Sequence, residues 1–347
     1  MITISISNSA LSSSGCILAF KRTVIDGYKE PASSSNIVYG EAVHKYIDMM
    51  FKTNEHIPTA IAAATRVFNQ PKVSKNRSPH LDDQRHMIAT AFDVWERYVK
   101  EDTGFSLLML DLPCWCCGGK GKQIVPIQSE IVLGDQEIDC QWCKGAGHYI
   151  RPATELTFSI PYYKDEFIEV NLEGTIDSIG KVNGGIPAIR DWKTTSTWDR
   201  EGYFYPYRLS KQLRFYGLAL KLMAEREPTS ALGMIGANAF GAIIDAIFIK
   251  PSVNDNRCLR SEVFTYSDKE FSDFRNTLDN FIGRLSDHVS KNYFPKEGII
   301  KNACEKKYGL CPFFTVCSVN DEVANVLLKR DFKQTKYNPL NYSGLCF

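Results

Sequence analysis

A chain of 347 residues is long enough for one large hydrophobic core or two smaller ones. Its 44% apolar and 23% charged content is that of an ordinary globular protein, and a net charge of +1 excludes a global basic field for nucleic acid, leaving only a local patch. No apolar run approaches the length of a membrane span, and the opening MITISISNSALSSSGCILAF lacks the charged and uninterrupted apolar regions of a signal peptide.

Residues 1–20 read as a serine-rich approach to a small apolar segment. IVYGEAVHKYIDMMF (37–51) has helical spacing, with Val43, Ile47 and Met50 on one face and His44 early in the helix. Residues 58–70 and 80–110 also read as helices. Residues 112–150 are rich in Cys and Gly. TELTFSIPYY, FIEVNLEGTIDSIG and IPAIRDWKT then alternate as strands. SKQLRFYGLALKLMAE (210–225) is a helix, and AIIDAIFIK (242–250) a buried strand. A long helix (267–294), a cysteine-bearing loop and a short helix around 320–332 complete the chain. Helices, a strand meander, a helix, a strand and more helices predict an α+β or α/β fold with a mixed sheet.

The stretch GTIDSIGKVNGGIPAIRDWKTTS (174–196) carries the first chemical signal. Asn183-Gly184-Gly185 is a hairpin turn, since Asn and Gly accept positive φ cheaply. A turn centred on Gly184 sets Asp177 opposite Asp191, with Cβ atoms roughly 4.5–5.5 Å apart. Lys193, two residues on, shares their face. Two facing carboxylates repel unless one is protonated or a cation lies between them, and Mg²⁺ or Mn²⁺ is the simplest such cation. The competing reading is a solvated hairpin with a weak Asp/Lys surface pair.

Together, GEAVH (40–44), GTID (174–177), RDWKT (190–194) and QLRFY (212–216) resemble the motif set of the RecB-like branch of the PD-(D/E)XK nuclease superfamily, over roughly residues 16–317. Ile176 stands where the signature has Pro. The resemblance implies a restriction-endonuclease-like core, a mixed central sheet flanked by helices. It implies Asp177 and Asp191 as metal ligands, with His44 and the Trp192 backbone carbonyl completing the set. Lys193 would orient the attacking water and stabilise phosphate charge. Gln212 and Tyr216, one helical turn apart, would position substrate and site. Glu155 resembles the acid often found on the preceding strand.

Eleven cysteines in clusters argue for metal ligation rather than disulfides, and so for a reducing cytoplasm. Cys304, Cys311 and Cys317, with the early Cys16, resemble the [4Fe-4S] ligands of several RecB-like nucleases, including CRISPR-associated adaptation nucleases. The six residues between Cys304 and Cys311 depart from the usual two. Zinc on the same thiols and inert buried cysteines remain the alternatives. Cys114 and Cys117 form one CxxC, Cys140 and Cys143 another, each followed by Gly-x-Gly. They resemble the half-sites of a DnaJ-type zinc ribbon, which implies a four-thiolate Zn²⁺ site gripping DNA or a partner, or serving only as a staple. No His-Pro-Asp tripeptide accompanies them, which speaks against a cochaperone.

The sequence thus divides into an N-terminal helical region (1–111), a zinc-ribbon insertion (112–150), a nuclease core (151–300) and a C-terminal cysteine cluster with tail (301–347). The expected function is a metal-dependent DNA exonuclease acting on ends or single strands in phage or bacterial recombination, repair or processing. A helicase, a single-strand binding protein or an annealing protein is the expected partner. The rivals are a catalytically silent DNA-binding scaffold and a CRISPR-type spacer-trimming nuclease.

Overall fold

The structure is a computed structural model. It describes residues 1–29, 35–53, 55–69, 83–113, 119–128, 133–140, 143–183, 185–197, 199–200, 202–238, 240–249, 257–306 and 309–335. The chain opens with strand β1 (Ile2–Ile6), followed by helices α1 (Ser35–Lys52), α2 (Ile57–Phe68) and α3 (Gln84–Val94). Short strand β2 (Phe105–Leu107) leads towards the long strands β3 (Thr154–Lys164), β4 (Ile168–Val182) and β5 (Ile186–Thr195). Then come α4 (Lys211–Arg226), β6 (Gly241–Phe248), β7 (Cys258–Arg260), β8 (Phe264–Thr265) and α5 (Asp268–Ser290).

These eight strands form one mixed sheet. β1 runs parallel to β4, β4 pairs antiparallel with β3 and β5, and β5 runs parallel to β6. β6 is buried along its whole length, which is why AIIDAIF is apolar at every position but Asp245 rather than alternating. One large core joins the sheet, through Ile189 and Ile244 among others, to α4 and α5. A second joins Trp192, Ile247 and Ile249 to α1, α2 and α3. The sheet is thus covered by helices on two sides. Ser210 caps α4 by accepting the Leu213 N–H, and Ser267 with Glu270 forms a capping box at the start of α5.

Two sequence expectations are corrected. The serine-rich opening contains a strand of the central sheet, with Ile4 and Ile6 in the core. The helix expected over 80–110 ends early. It is α3, extended by a π turn through Val99. Asp102 then accepts the N–H groups of Gly104 and Phe105 at 3.0 and 3.1 Å. This Asx-type turn releases the chain into strands at Phe105–Leu107 and Met109–Pro113.

Met109–Pro113 pairs with His148–Pro152 as a ribbon outside the main sheet, and Lys122–Gln128 pairs with Leu133–Asp139 beyond it. Among the described residues, no helix is long and apolar enough to cross a membrane.

Candidate active site

The hairpin has the register that its turn predicts. Val182 pairs with Ile186 and Ser178 with Arg190, which leaves Asp177 and Asp191 at the next step. Asn183 takes φ +48°, as the turn requires. The Trp192 N–H donates to Asp177 Oδ2 at 2.8 Å, so the two strands stay tied beyond their last ladder pair. Lys193 Nζ lies 2.5 Å from Asp191 Oδ2, on the face that strand alternation assigns it.

Glu155 joins this row. β3 pairs Thr154 with Ser178 and Leu156 with Ile176, which sets Glu155 across from Asp177. Three carboxylates therefore stand on three adjacent strands. Glu155 takes φ +47°, a conformation uncommon for a residue with a side chain. Next to it Thr154 Oγ1 donates to Asp48 Oδ1 at 2.9 Å, and Lys45 and Lys52 pair with Asp48 at 3.0 and 2.7 Å. Asp48 and Thr154 are members of the site that sequence reasoning missed. For Asp48 a signal was present, because it lies one helical turn beyond His44 on the same face of α1.

α1 comes close to the sheet because Gly40 has no side chain. A Cβ there would lie 2.6 Å from Thr194 Oγ1. One turn further on, His44 Nδ1 lies 3.6 Å from Asp177 Oδ2. From the other helix layer, Gln212 Nε2 donates to Asp191 Oδ1 at 2.9 Å and to the Tyr216 hydroxyl at 3.1 Å. All seven side chains expected at the site, Glu155, Asp177, Asp191, Lys193, His44, Gln212 and Tyr216, are thus brought to one place.

Burial sets the charges here. It pushes the Glu155 carboxyl up to about 8, with Asp177 and Asp48 adding repulsion. It raises Asp191 to about 6 against the pull of Lys193, and it raises Asp177 as well. Burial and the Lys193 ammonium lower His44 to about 4, so its imidazole is neutral near pH 7. For Lys193, burial favours the neutral amine, but Asp191 and Asp177 outweigh it and the ammonium is kept.

The Asp191 Oδ2 atom is buried and, despite its contact with Lys193, lies outside hydrogen-bond alignment. Oxygen donors and a neutral imidazole are a donor set suited to a hard divalent cation. Among the described residues, however, no three His, Cys, Asp or Glu side chains are drawn in tightly enough to hold an ion. The carboxylates are turned instead onto Lys193, Gln212 and the Trp192 N–H.

The sequence profile of the PD-(D/E)XK nuclease superfamily matches residues 5–318. The chain belongs to the PD-(D/E)XK nuclease superfamily. No curated protein matches it. PD-(D/E)XK proteins are nucleases that generally use Mg²⁺ or Mn²⁺, and the acid row with Lys193 lies within the matched residues.

Two sets of cysteines stand out in the sequence of this PD-(D/E)XK chain. Cys16, Cys304, Cys311 and Cys317 line one cavity. A Cβ at Gly298 would lie 3.1 Å from Cys304 Sγ and 3.4 Å from Cys16 Sγ. Arg22 donates to Cys317 Sγ at 3.1 Å. Of the other set, Cys114 and Cys117 lie outside the described residues. Cys140 and Cys143 are buried, and the Gly147 N–H donates to Cys143 Sγ at 3.2 Å. Gly119, Gly121, Gly145 and Gly147 all have positive φ, and a Cβ at Gly121 would lie 2.3 Å from the Gly145 carbonyl oxygen. The two Gly-x-Gly segments therefore pack backbone to backbone, which only glycine permits.

Proposed function

We propose that the chain is a RecB-like, metal-dependent DNA nuclease, an exonuclease working from ends or on single strands. The observation that carries the reading is the line of Glu155, Asp177 and Asp191 across three strands, with Lys193 paired to the last of them. Lys193 alone cannot balance three carboxylates drawn together this way, since the nearby Lys45 and Lys52 are taken up by Asp48. The carboxylates must share protons or share a cation.

Asp177, Asp191, His44 and the Trp192 carbonyl would hold Mg²⁺ or Mn²⁺, which supplies Lewis acidity towards water and phosphate. The chain's own groups do the rest. Lys193, kept as an ammonium, donates to phosphate oxygen and stabilises its developing charge. Gln212 fixes the plane of the Asp191 carboxylate, and Tyr216 fixes Gln212. The neutral His44 ring adds a nitrogen donor without adding charge.

The gathering of Cys16, Cys304, Cys311 and Cys317 around one cavity supports a [4Fe-4S] cluster there, tying the early and late parts of the chain together. The Gly-x-Gly packing beside Cys140 and Cys143 supports a zinc ribbon completed by Cys114 and Cys117. The physiological role is phage or bacterial DNA recombination, repair or processing beside a helicase, a single-strand binding protein or an annealing protein.

The test uses end-labelled single- and double-stranded DNA and a closed circle, each with Mg²⁺, Mn²⁺ or chelator. Cleavage of linear DNA that needs the metal and spares the circle is expected. An intact linear substrate with both metals would refute the nuclease reading, and efficient cutting of the circle would refute the exonuclease mode.

A further inference from the structure

The segment between β5 and α4 contains none of the motifs. Gly202–Leu209, GYFYPYRL, is a 3-10 helix whose tyrosines divide by direction. The hydroxyls of Tyr203 and Tyr207 meet at 3.2 Å. The Tyr203 ring packs on Phe248 with centroids 6.0 Å apart, and its hydroxyl meets the side chain of Thr195, the last residue of β5. Tyr205 points outward and is 72% exposed.

The inward pair borders the acid row. The Lys193 charge acts on the Tyr203 hydroxyl and the Asp191 charge on that of Tyr207. Thr195, Tyr203 and Tyr207 form a chain of three hydroxyls with two contacts and three hydrogens. Thr195 Oγ1 also accepts the Thr197 N–H at 3.1 Å. One hydroxyl hydrogen therefore has no acceptor within the trio. Packing alone would explain the rings, since Phe248 and Phe204 surround them. It does not explain why the row of hydroxyls starts at Thr195, two residues from Lys193 on the same face of β5, and lies within reach of the Lys193 and Asp191 charges.

We infer that the Tyr203–Tyr207 pair donates its one spare hydroxyl hydrogen to a non-bridging oxygen of the nucleic-acid phosphate that Lys193 engages, and that the pair is a substrate contact of the site. The inference rests on the nuclease reading. A neutral hydroxyl donating to an anionic oxygen makes a charge-assisted bond and places that oxygen without competing with the carboxylates for a cation.

The test compares the full-length protein with Tyr203→Phe, Tyr207→Phe and the double variant, on single-stranded DNA with Mn²⁺. Tyr163→Phe, whose hydroxyl bonds Asp165 on the surface, is the control. Each protein is assayed on an all-oxygen substrate and on the separate Rp and Sp phosphorothioates at the cleaved phosphate, one of which replaces the oxygen that faces the hydroxyls. The double variant is expected to melt as the parent does and to lose about tenfold or more in kcat/KM. In that phosphorothioate, sulfur substitution is expected to cost the parent more than the double variant, because the replaced oxygen is the one the pair holds. A double variant within twofold of the parent, or a sulfur penalty equal in the two proteins for both phosphorothioates, would overturn the assignment while leaving the nuclease reading intact. A parent protein that cuts no DNA would remove both.

Discussion

Gln212 and Asp191 are joined by a 2.9 Å hydrogen bond from Nε2 to Oδ1, and the same Nε2 reaches the Tyr216 hydroxyl at 3.1 Å. Both amide hydrogens are thereby used. The carboxylate is held from the helix by Gln212 and from its own strand by Lys193. Gln212→Ala is expected to lower cleavage about 10- to 100-fold with little change in melting. Gln212→Glu should lower it further, because a new carboxylate would face Asp191. Steady-state cleavage with parallel melts decides this, and an unchanged Gln212→Ala rate would show that Lys193 alone suffices.

Asp177→Asn separates stability from activity. Asp177 is pressed by its burial and faces acids on both sides, yet the asparagine oxygen can still accept the Trp192 N–H. In chelator the variant should melt above the parent, and with metal it should cut no DNA. A lower melting temperature in chelator would show that the acid row is not a source of strain.

The acid row also sets a pH dependence. Glu155 titrates near 4.5 when unperturbed and near 8 in the fold, so the folded state keeps a proton that the unfolded chain has released. Stability must therefore fall as pH rises through that interval. His44, lowered to about 4, works in the opposite direction only up to about 6.5, above which it is neutral in both states. Between about 6.5 and 8, metal-free protein should lose stability with rising pH, and Mn²⁺ should flatten the slope. Denaturant melts at several pH values, with and without Mn²⁺, would check both parts.

Arg190 supports the site from behind. It is 2% exposed, lies 3.9 Å from the Trp192 ring centroid, and pairs with Asp245 at 2.5 Å and Asp102 at 3.3 Å. Arg190→Met leaves Asp245 to Arg260 alone and should cost about 3–5 kcal/mol in urea unfolding. The double variant Arg190→Met/Asp245→Leu should cost much less, since an apolar pair of similar size can replace a buried ion pair.

Anaerobic purification should yield a coloured protein with bound iron, and Cys311→Ser should lose the iron and melt lower while keeping zinc. A colourless, iron-free parent would remove the cluster and leave the acid row untouched.

The hairpin was legible in the sequence because a two-strand register follows from its turn, and the Asn-Gly-Gly turn is a strong signal. The place of Glu155 was not legible to the same degree. The pairing of β3 with β4 shifts between Pro161 and Tyr163, so counting back from the turn at Asp165 would misplace every residue beyond the shift. β1 was missed because ITISI is short and followed by serines, and its burial depends on a strand far along the chain. Asp48 was missed because an acid on a helix is ordinarily solvated, and only the fold reveals Thr154 beside it.

Arg190 and Asp191 are neighbours in the chain whose side chains serve opposite sides of one strand. Loss of either would register alike in an assay that scores DNA cleavage alone. Resistance to brief proteolysis would tell them apart, because only the loss of Arg190 loosens the scaffold.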